Sequence, residues 1–533
     1  MSGTSKKQTF LHGAALLALA TAIVKVVGAF YKIPLKMIIG DQGFSYFNTA
    51  YNIYSVLLMV STAGLPIAMS RMISQANATG NYNQVRRVYS TAKIIFLSLG
   101  FLSTALMMGL APQLAAFQKQ PDAWFAIFCL GPCALLMCIM SAYRGFFQGQ
   151  GNMRPTSNSQ ILEAFIKLAI GLAFALVIMK MTGSVAYAAG GAILGVTASC
   201  LASVVYLHFL QRSAYKELPA NTDAPLSYRK TLWQLLAIAF PITIGSAGLQ
   251  MLTLFETNLY MGQLLTAGGM SQKTADITKG IYDMCFTVFN MPCSFMMPIT
   301  TSVLPAITAM LSTGNREGAK ATEESAARIT GLLSLPCAVG LAVLAEPVMS
   351  LLGGYTGENA VLAGRILAIM GITIFFYGVI QYTNVVLQSH GYAFIPVINT
   401  LVCGGAKLLV VYILVGNPHI GILGAPIGML LGYLTIGIMN LVAIWLINPH
   451  KSKILANILR PVIPAGIMGV CVWGALQILK KLPFGSSRVI LCGVPVVVGV
   501  IVYAVGIVIF KAIRREDCML LPKGDKISKF LHL

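Results

Sequence analysis

The sequence predicts an all-α polytopic membrane protein with fourteen transmembrane helices, arranged as two six-helix lobes and two further C-terminal helices. Three observations predict it. Of 533 residues, 57% are hydrophobic and only 10% are charged, where a soluble domain carries roughly 25% charged residues. Mean hydropathy is +0.78. Apolar runs recur almost end to end, each near the ~20 residues that cross a bilayer as a helix.

In order, the spans are read at 10–31, 44–70, 90–117, 122–146, 157–180, 184–210, 232–264, 280–311, 327–353, 359–388, 393–416, 420–447, 461–480 and 488–511. The first follows Lys6 and Lys7, but it is long and contains Lys25, with no small-residue cleavage site after it. It reads as a retained helix rather than a secretory leader. Spans 232–264 and 280–311 exceed one upright crossing and must tilt, bend or protrude. Prolines inside spans, at Pro66, Pro241, Pro292, Pro298, Pro305 and Pro336, predict kinks.

An even number of spans puts both termini on one side. With that side cytoplasmic, 24 of the 37 Lys and Arg fall in termini and inner connections, and nine in outer ones. That bias predicts both termini inside. Anionic membrane lipids, rather than nucleic acid, account for the net charge of +21, because the basic residues sit in short loops and form no aromatic-laced stripe.

The chain also repeats itself. Gln148, Gly151 and Lys167 recur 240 positions later as Gln388, Gly391 and Lys407, and Thr79-Gly80-Asn81 recurs as Thr313-Gly314-Asn315. Gly191-Ala192 and Gly195 recur as Gly424-Ala425 and Gly428, and Leu16–Ala20 resembles Leu235–Ala239. Six spans per copy make parallel repeats, the layout of an alternating-access transporter. The expected organisation is an N-lobe at 1–213, a cytoplasmic linker at 214–231, a C-lobe at 232–450, two helices within 451–511 and a cytoplasmic tail at 512–533.

An ionisable side chain in mid-span costs about 2.5–3.5 kcal/mol and marks a wet cavity or a partner. Six qualify: Lys25, Glu163, Lys167, Glu256, Arg365 and Lys407. Their balance of +2 suits an anionic substrate, for which a pyrophosphate is the natural candidate. Glu163 and Lys167 stand at i, i+4 on one helix face and can pair, either as a self-neutralised structural pair or with Lys167 in the cavity and Glu163 tuning its charge and orientation. Lys407 has no acid one turn away, so Glu256 is its expected partner. Lys32 either snorkels to the interface or lines an outer mouth. Arg144, Gln148 and Gln388 are candidate gate residues, although Arg144 reads first as a topology anchor at the cytoplasmic end of its span.

Enzyme chemistry finds no support. The six histidines are scattered, and there is no metal-ligand spacing, nucleophile elbow or phosphate loop. Ten of eleven cysteines lie in apolar stretches without a CxxC pair, and read as small buried residues. No metal or cofactor is expected. Transport would be secondary, drawing on Na+, H+ or the membrane potential.

Longer motifs add a resemblance. Lys25-x-x-Gly28-x-x-Tyr31-Lys32-Ile33-Pro34-Leu35, Ser61-Thr62-Ala63-Gly64-Leu65-Pro66 and Tyr143-Arg144-Gly145-Phe146-Phe147-Gln148-Gly149 resemble the SpoVB/YtgP branch of the MurJ-like flippases. So does Met153-x-Pro155-Thr156 with Ser159-Gln160-x-x-Glu163. The resemblance implies a two-lobed exporter fold in the bacterial cytoplasmic membrane. It implies a lipid-linked oligosaccharide as substrate, carried on undecaprenyl pyrophosphate, and a role in peptidoglycan, polysaccharide or spore-cortex synthesis. The transporter would be a monomer working beside the cell-wall synthesis machinery, with spans thirteen and fourteen forming a groove for the lipid tail. Where MurJ proteins carry an arginine pair in span two, this chain has Leu58 and Met59. Alternatives are a multidrug/cation antiporter, which predicts an acidic cavity and twelve spans, and a membrane glycosyltransferase, which predicts catalytic acids on a large outer loop.

Overall fold

The computed structural model describes residues 2–219, 224–447, 453–482 and 487–513. From residue 514 on, the expected tail lies outside the described residues, as do residues 220–223 of the expected linker. The fold is all-α. Its helices are α1 (Ser2–Thr62), α2 (Leu65–Ala78), α3 (Tyr82–Gly109), α4 (Ala111–Phe117), α5 (Trp124–Gly149), α6 (Arg154–Thr182), α7 (Val185–Lys216), α8 (Tyr228–Leu265) and α9 (Gln272–Ser312). They continue as α10 (Arg316–Val343), α11 (Ala345–Leu352), α12 (Gly357–Ser389), α13 (Phe394–Val415), α14 (Gly424–Ile447), α15 (Ile454–Leu459), α16 (Val462–Lys481) and α17 (Arg488–Ile509).

Among the described residues, twelve segments are long and apolar enough to cross a membrane, and the protein is a multi-pass membrane protein. The expected count of fourteen remains an expectation. The first segment alone runs Ile23–Ala78, over 56 residues. No loop separates the first two expected spans. α1 runs on past Lys32 and breaks its helical geometry only at Gly40 (φ 66°, ψ −178°), a left-handed φ that glycine adopts without a Cβ penalty.

Helix α8 runs through Pro241 and α10 through Pro336. Of the expected positions, Pro66 lies in the first turn of α2, directly after the break at Ala63-Gly64; further breaks fall at Gly40, Leu110 and Leu344. Proline is tolerated inside membrane helices because neighbouring groups take up the freed carbonyl. The break at Gly64 has a packing reason: a Cβ there would lie 2.1 Å from the Ala239 carbonyl oxygen of α8.

The internal repeat is visible in local geometry. Gly80 and Gly314 both take φ 74°, and each ends a helix whose next residue, Asn81 or Asn315, donates its N–H five residues back, to Ala76 and Met310. This is a left-handed helix stop. Gly151 and Gly391 repeat it, their N–H groups bonding the carbonyls of Gln148 and Gln388 at 3.0 Å. The helix breaks at Leu110 and Leu344 are displaced by the same 234 positions as the first pair.

By compactness the chain divides into a first unit, Met1–Leu265 with Gly269–Gly280, and a second, Thr266–Gly268 with Ile281–Leu533. The sequence repeat and this division draw the boundary differently, since α8 and the first turns of α9 fall in the first unit. Inside the first unit, α6 and α7 meet at glycines: a Cβ on Gly195 would lie 2.3 Å from the Gly171 Cα. Inside the second, Gly424, Gly428 and Gly432 of α14 face Leu414, Val411 and Lys407 of α13. Small residues let membrane helices approach this closely. Gly195→Leu should therefore force α6 from α7 and cost about 1–3 kcal/mol. Its melting temperature in detergent should fall clearly, whereas Gly466→Ala, whose Cβ would meet nothing within 4 Å, should melt like the parent.

Candidate functional site

Within the first unit, α1, α5 and α6 enclose a pocket of about 280 Å³. Lys25, Arg144, Gln160, Glu163 and Lys167 line it, with Gly28 and Tyr31. Each position follows from helical spacing. Lys25, Gly28 and Tyr31 share one face of α1 at intervals of three, and Gln160, Glu163 and Lys167 share one face of α6.

Glu163 does not take Lys167 as its ion-pair partner. Its Oε2 lies 3.1 Å from an Nη of Arg144, with the two side chains 24% and 13% exposed. Arg144 also donates from Nε to Ser159 Oγ at 3.0 Å. The guanidinium fork reaches two acceptors on α6 at once, a geometry that a lysine ammonium does not match. Arg144, expected as a gate or topology anchor, is thus a pocket residue.

Lys167 instead presents its Nζ to two aromatic faces, 5.1 Å from the Tyr31 ring centroid and 5.2 Å from that of Tyr51. Cation–π attraction at such distances contributes about 0.5–2 kcal/mol. Tyr31 is fixed in turn: its hydroxyl donates to the Ala192 carbonyl at 3.3 Å and its ring lies against Gly171. The Gln160 Oε1 and the Tyr51 hydroxyl are buried without a hydrogen-bond partner among the described residues. Buried polar groups are normally satisfied, so both are available to a ligand or to water. The side chains lining the pocket number three cations, Lys25, Arg144 and Lys167, to one carboxylate, Glu163. That arrangement suits a small dianion such as a pyrophosphate, and its volume holds an anchoring group rather than a whole glycolipid headgroup.

The other expected site residues lie elsewhere. Lys32 donates to Asn48 Oδ1 at 3.2 Å and stands 6.0 Å from the Phe44 ring centroid, tying α1 together across its break. Gln148 and Gln388 serve the two helix stops through their carbonyls. Arg365 is exposed in an open pocket of the second unit with Glu346, Glu358 and Arg488. Glu256 is buried on α8 of the first unit, and the stem of Lys407 lies along Gly432 in the second.

Sequence reasoning missed two polar clusters. In the second unit, Asn440 donates to Thr383 at 3.1 Å and to Asn384 at 2.9 Å, and accepts from Asn399 at 2.8 Å. In the first, Asp276 gathers donors from three segments. Apart from the Gln272–Asp276 pair four residues apart on α9, the partners lie far apart in sequence and give no spacing signal.

An all-α multi-pass architecture with a basic pocket among its helices defines, as a class, a polytopic membrane protein. The family model for polysaccharide biosynthesis proteins matches residues 10–311, more than half of the chain, and the chain belongs to that family. A second model, MatE, matches residues 270–413. Stage V sporulation protein B of Bacillus subtilis (strain 168) is 24% identical over 520 residues, covering 97% of this chain and 98% of that protein. Lipid II flippase MurJ of the same organism is 25% identical over 482 residues, 87% of each. A solved structure described as lipid II flippase MurJ in an inward closed conformation matches with a TM-score of 0.67 at 15% identity, covering 93% of this chain and 98% of that one.

Proposed function

We propose that this chain is a secondary flippase that moves a lipid-linked cell-wall sugar precursor across the bacterial cytoplasmic membrane. The observation that carries the reading is the first-unit pocket, where Lys25, Arg144 and Lys167 surround a single carboxylate. Lys25 and Lys167 hold the substrate's pyrophosphate, while Arg144 keeps Glu163 from repelling it. Names of two similar proteins, one a lipid II flippase and one a sporulation protein, supply the substrate class. The lobes at 1–213 and 232–450 rock about the bound headgroup, and the helices within 451–511 carry the lipid tail along their apolar surface. Both termini face the cytoplasm, and an ion gradient or the membrane potential drives the cycle.

Depletion of this protein in a cell without redundant flippases is expected to accumulate one lipid-linked precursor on the inner leaflet. Unchanged precursor levels would remove the proposal. The MatE match over 270–413 favours a second reading, multidrug/cation antiport, which asks for an acidic cavity. The excess of cations in the first-unit pocket argues against it, and proton-driven efflux of an organic cation from vesicles would argue for it. The expected Glu256–Lys407 ion pair is tested by cysteines at these positions; if they cross-link in no state, it is discarded.

A further inference from the structure

Beyond the proposed pocket, the first unit contains a second set of titratable groups, where α1 past its break meets the first turns of α9. The first turns of α9, up to Gly280, belong to the first unit although the rest of that helix belongs to the second. Gly280 permits this seating, since a Cβ there would lie 2.0 Å from the Asp41 carbonyl oxygen. Asp276, only 1% exposed, is the buried acid of the seat. Its Oδ1 accepts from Gln120 Nε2 at 2.7 Å and from Gln272 Nε2 at 3.0 Å. Its Oδ2 faces the Tyr46 hydroxyl at 2.9 Å.

That hydroxyl has a second carboxylate neighbour, Asp122 Oδ2, at 3.3 Å, and it already accepts a bond from Gln42 Nε2 at 2.8 Å. A phenol carries one proton. With both acids ionised, Tyr46 satisfies one of them and turns a lone pair toward the other. One added proton completes every contact: Asp276 donates from Oδ2 to Tyr46, and Tyr46 donates onward to Asp122, which is exposed. Oδ1 then remains the carbonyl acceptor of both glutamines. We propose that Asp122, Tyr46 and Asp276 form a proton-binding site that fixes the first turns of α9 onto the first unit.

The surrounding charges agree with this. Burial pushes the Asp276 carboxyl above the usual carboxylate range, while its hydrogen bonds and the nearby Lys279 ammonium pull it partly back. Lys279 is itself buried and donates to the Ser45 carbonyl at 3.4 Å; Lys273 is exposed, and Lys36 and Asp41 pair with each other at 3.4 Å. A carboxyl whose pKa is higher when docked than in water stabilises the docked form below its ordinary range. That contribution is lost as pH rises through the raised value. In the expected orientation the proton comes from the outer compartment, so undocking α9 returns it there.

Infrared difference spectra of the detergent-solubilised full chain, taken between neutral and acidic pH, test this without any transport assay. The wild type should gain a carboxylic-acid carbonyl band with a midpoint above the ordinary range for aspartate. Asp276→Asn should lose that band. Asp122→Asn, at an exposed position, should shift its midpoint downward because a neighbouring negative charge is gone. Amide exchange over 272–280, corrected for intrinsic rates, should slow on acidification in the wild type and be slow at every pH in Asp276→Asn. A band that persists in Asp276→Asn overturns the proposal. A midpoint that Asp122→Asn leaves in place overturns it equally, whether or not the Asp276 variant folds.

Discussion

Lys167→Met is expected to abolish complementation of a flippase-deficient cell while membrane levels of the protein stay near wild type. Methionine keeps an unbranched side chain of similar volume against the Tyr31 and Tyr51 faces, so the packing of α6 against α1 survives. What disappears is the ammonium that stands 5.1 and 5.2 Å from those ring centroids. A hydrogen bond to a charged group contributes about 1.5–3 kcal/mol, which converts to roughly a 10- to 150-fold loss of affinity for the pyrophosphate. Lys25→Met should act in the same direction, because both cations line one pocket. Lys167→Arg should restore part of the function, since a guanidinium also stacks on aromatic faces and binds phosphate. Immunoblotting of membranes beside growth complementation separates the charge effect from a folding defect. Wild-type growth of both charge-removed variants would reject the basic pocket as the substrate site.

Arg144→Ala carries the second large effect, and here stability and transport both suffer. Glu163 would keep its charge in a membrane-embedded pocket without the guanidinium 3.1 Å away. Removing one partner of a buried pair costs about 3–5 kcal/mol; the partial exposure of this pair places it toward the lower end. Thermal unfolding in detergent should show the loss. Adding Glu163→Gln to Arg144→Ala should recover much of the stability, because the uncompensated charge is gone. Contacting pairs show couplings of about 0.5–3 kcal/mol in such cycles. Strictly additive effects would mean that the ion pair does not form in the membrane.

Composition made the fold class legible, and the repeat made paired helix stops legible through glycine-bearing segments. Gly80 and Gly314 share a φ of 74° because a left-handed helix stop favours glycine wherever the lobe is copied. Helix breaks were harder to read. Pro66 marks the break at Gly64, but Pro241 and Pro336 lie inside continuous helices, and the breaks at Gly40, Leu110 and Leu344 are set by tertiary packing and local turns. At the site, the residue types were legible and their pairing was not. Glu163 and Lys167 share a helix face, but Arg144 reaches that face from α5 and binds the acid more favourably. Tyr31 appeared in the sequence as part of a motif, and only the fold gives it the task of cradling an ammonium. The Asp122–Tyr46–Asp276 arrangement draws on three distant segments and had no local pattern at all.

The most direct measurement reconstitutes the purified chain into sealed vesicles holding a fluorescent undecaprenyl-pyrophosphate sugar lipid in both leaflets. Impermeant reagent added outside destroys the fluorophore it can reach. The account predicts that the remaining half of the signal decays with wild-type protein, and that Lys167→Met and Lys25→Met vesicles retain it like protein-free ones. Retention of that half by wild-type vesicles under every imposed ion gradient and membrane potential would contradict the account.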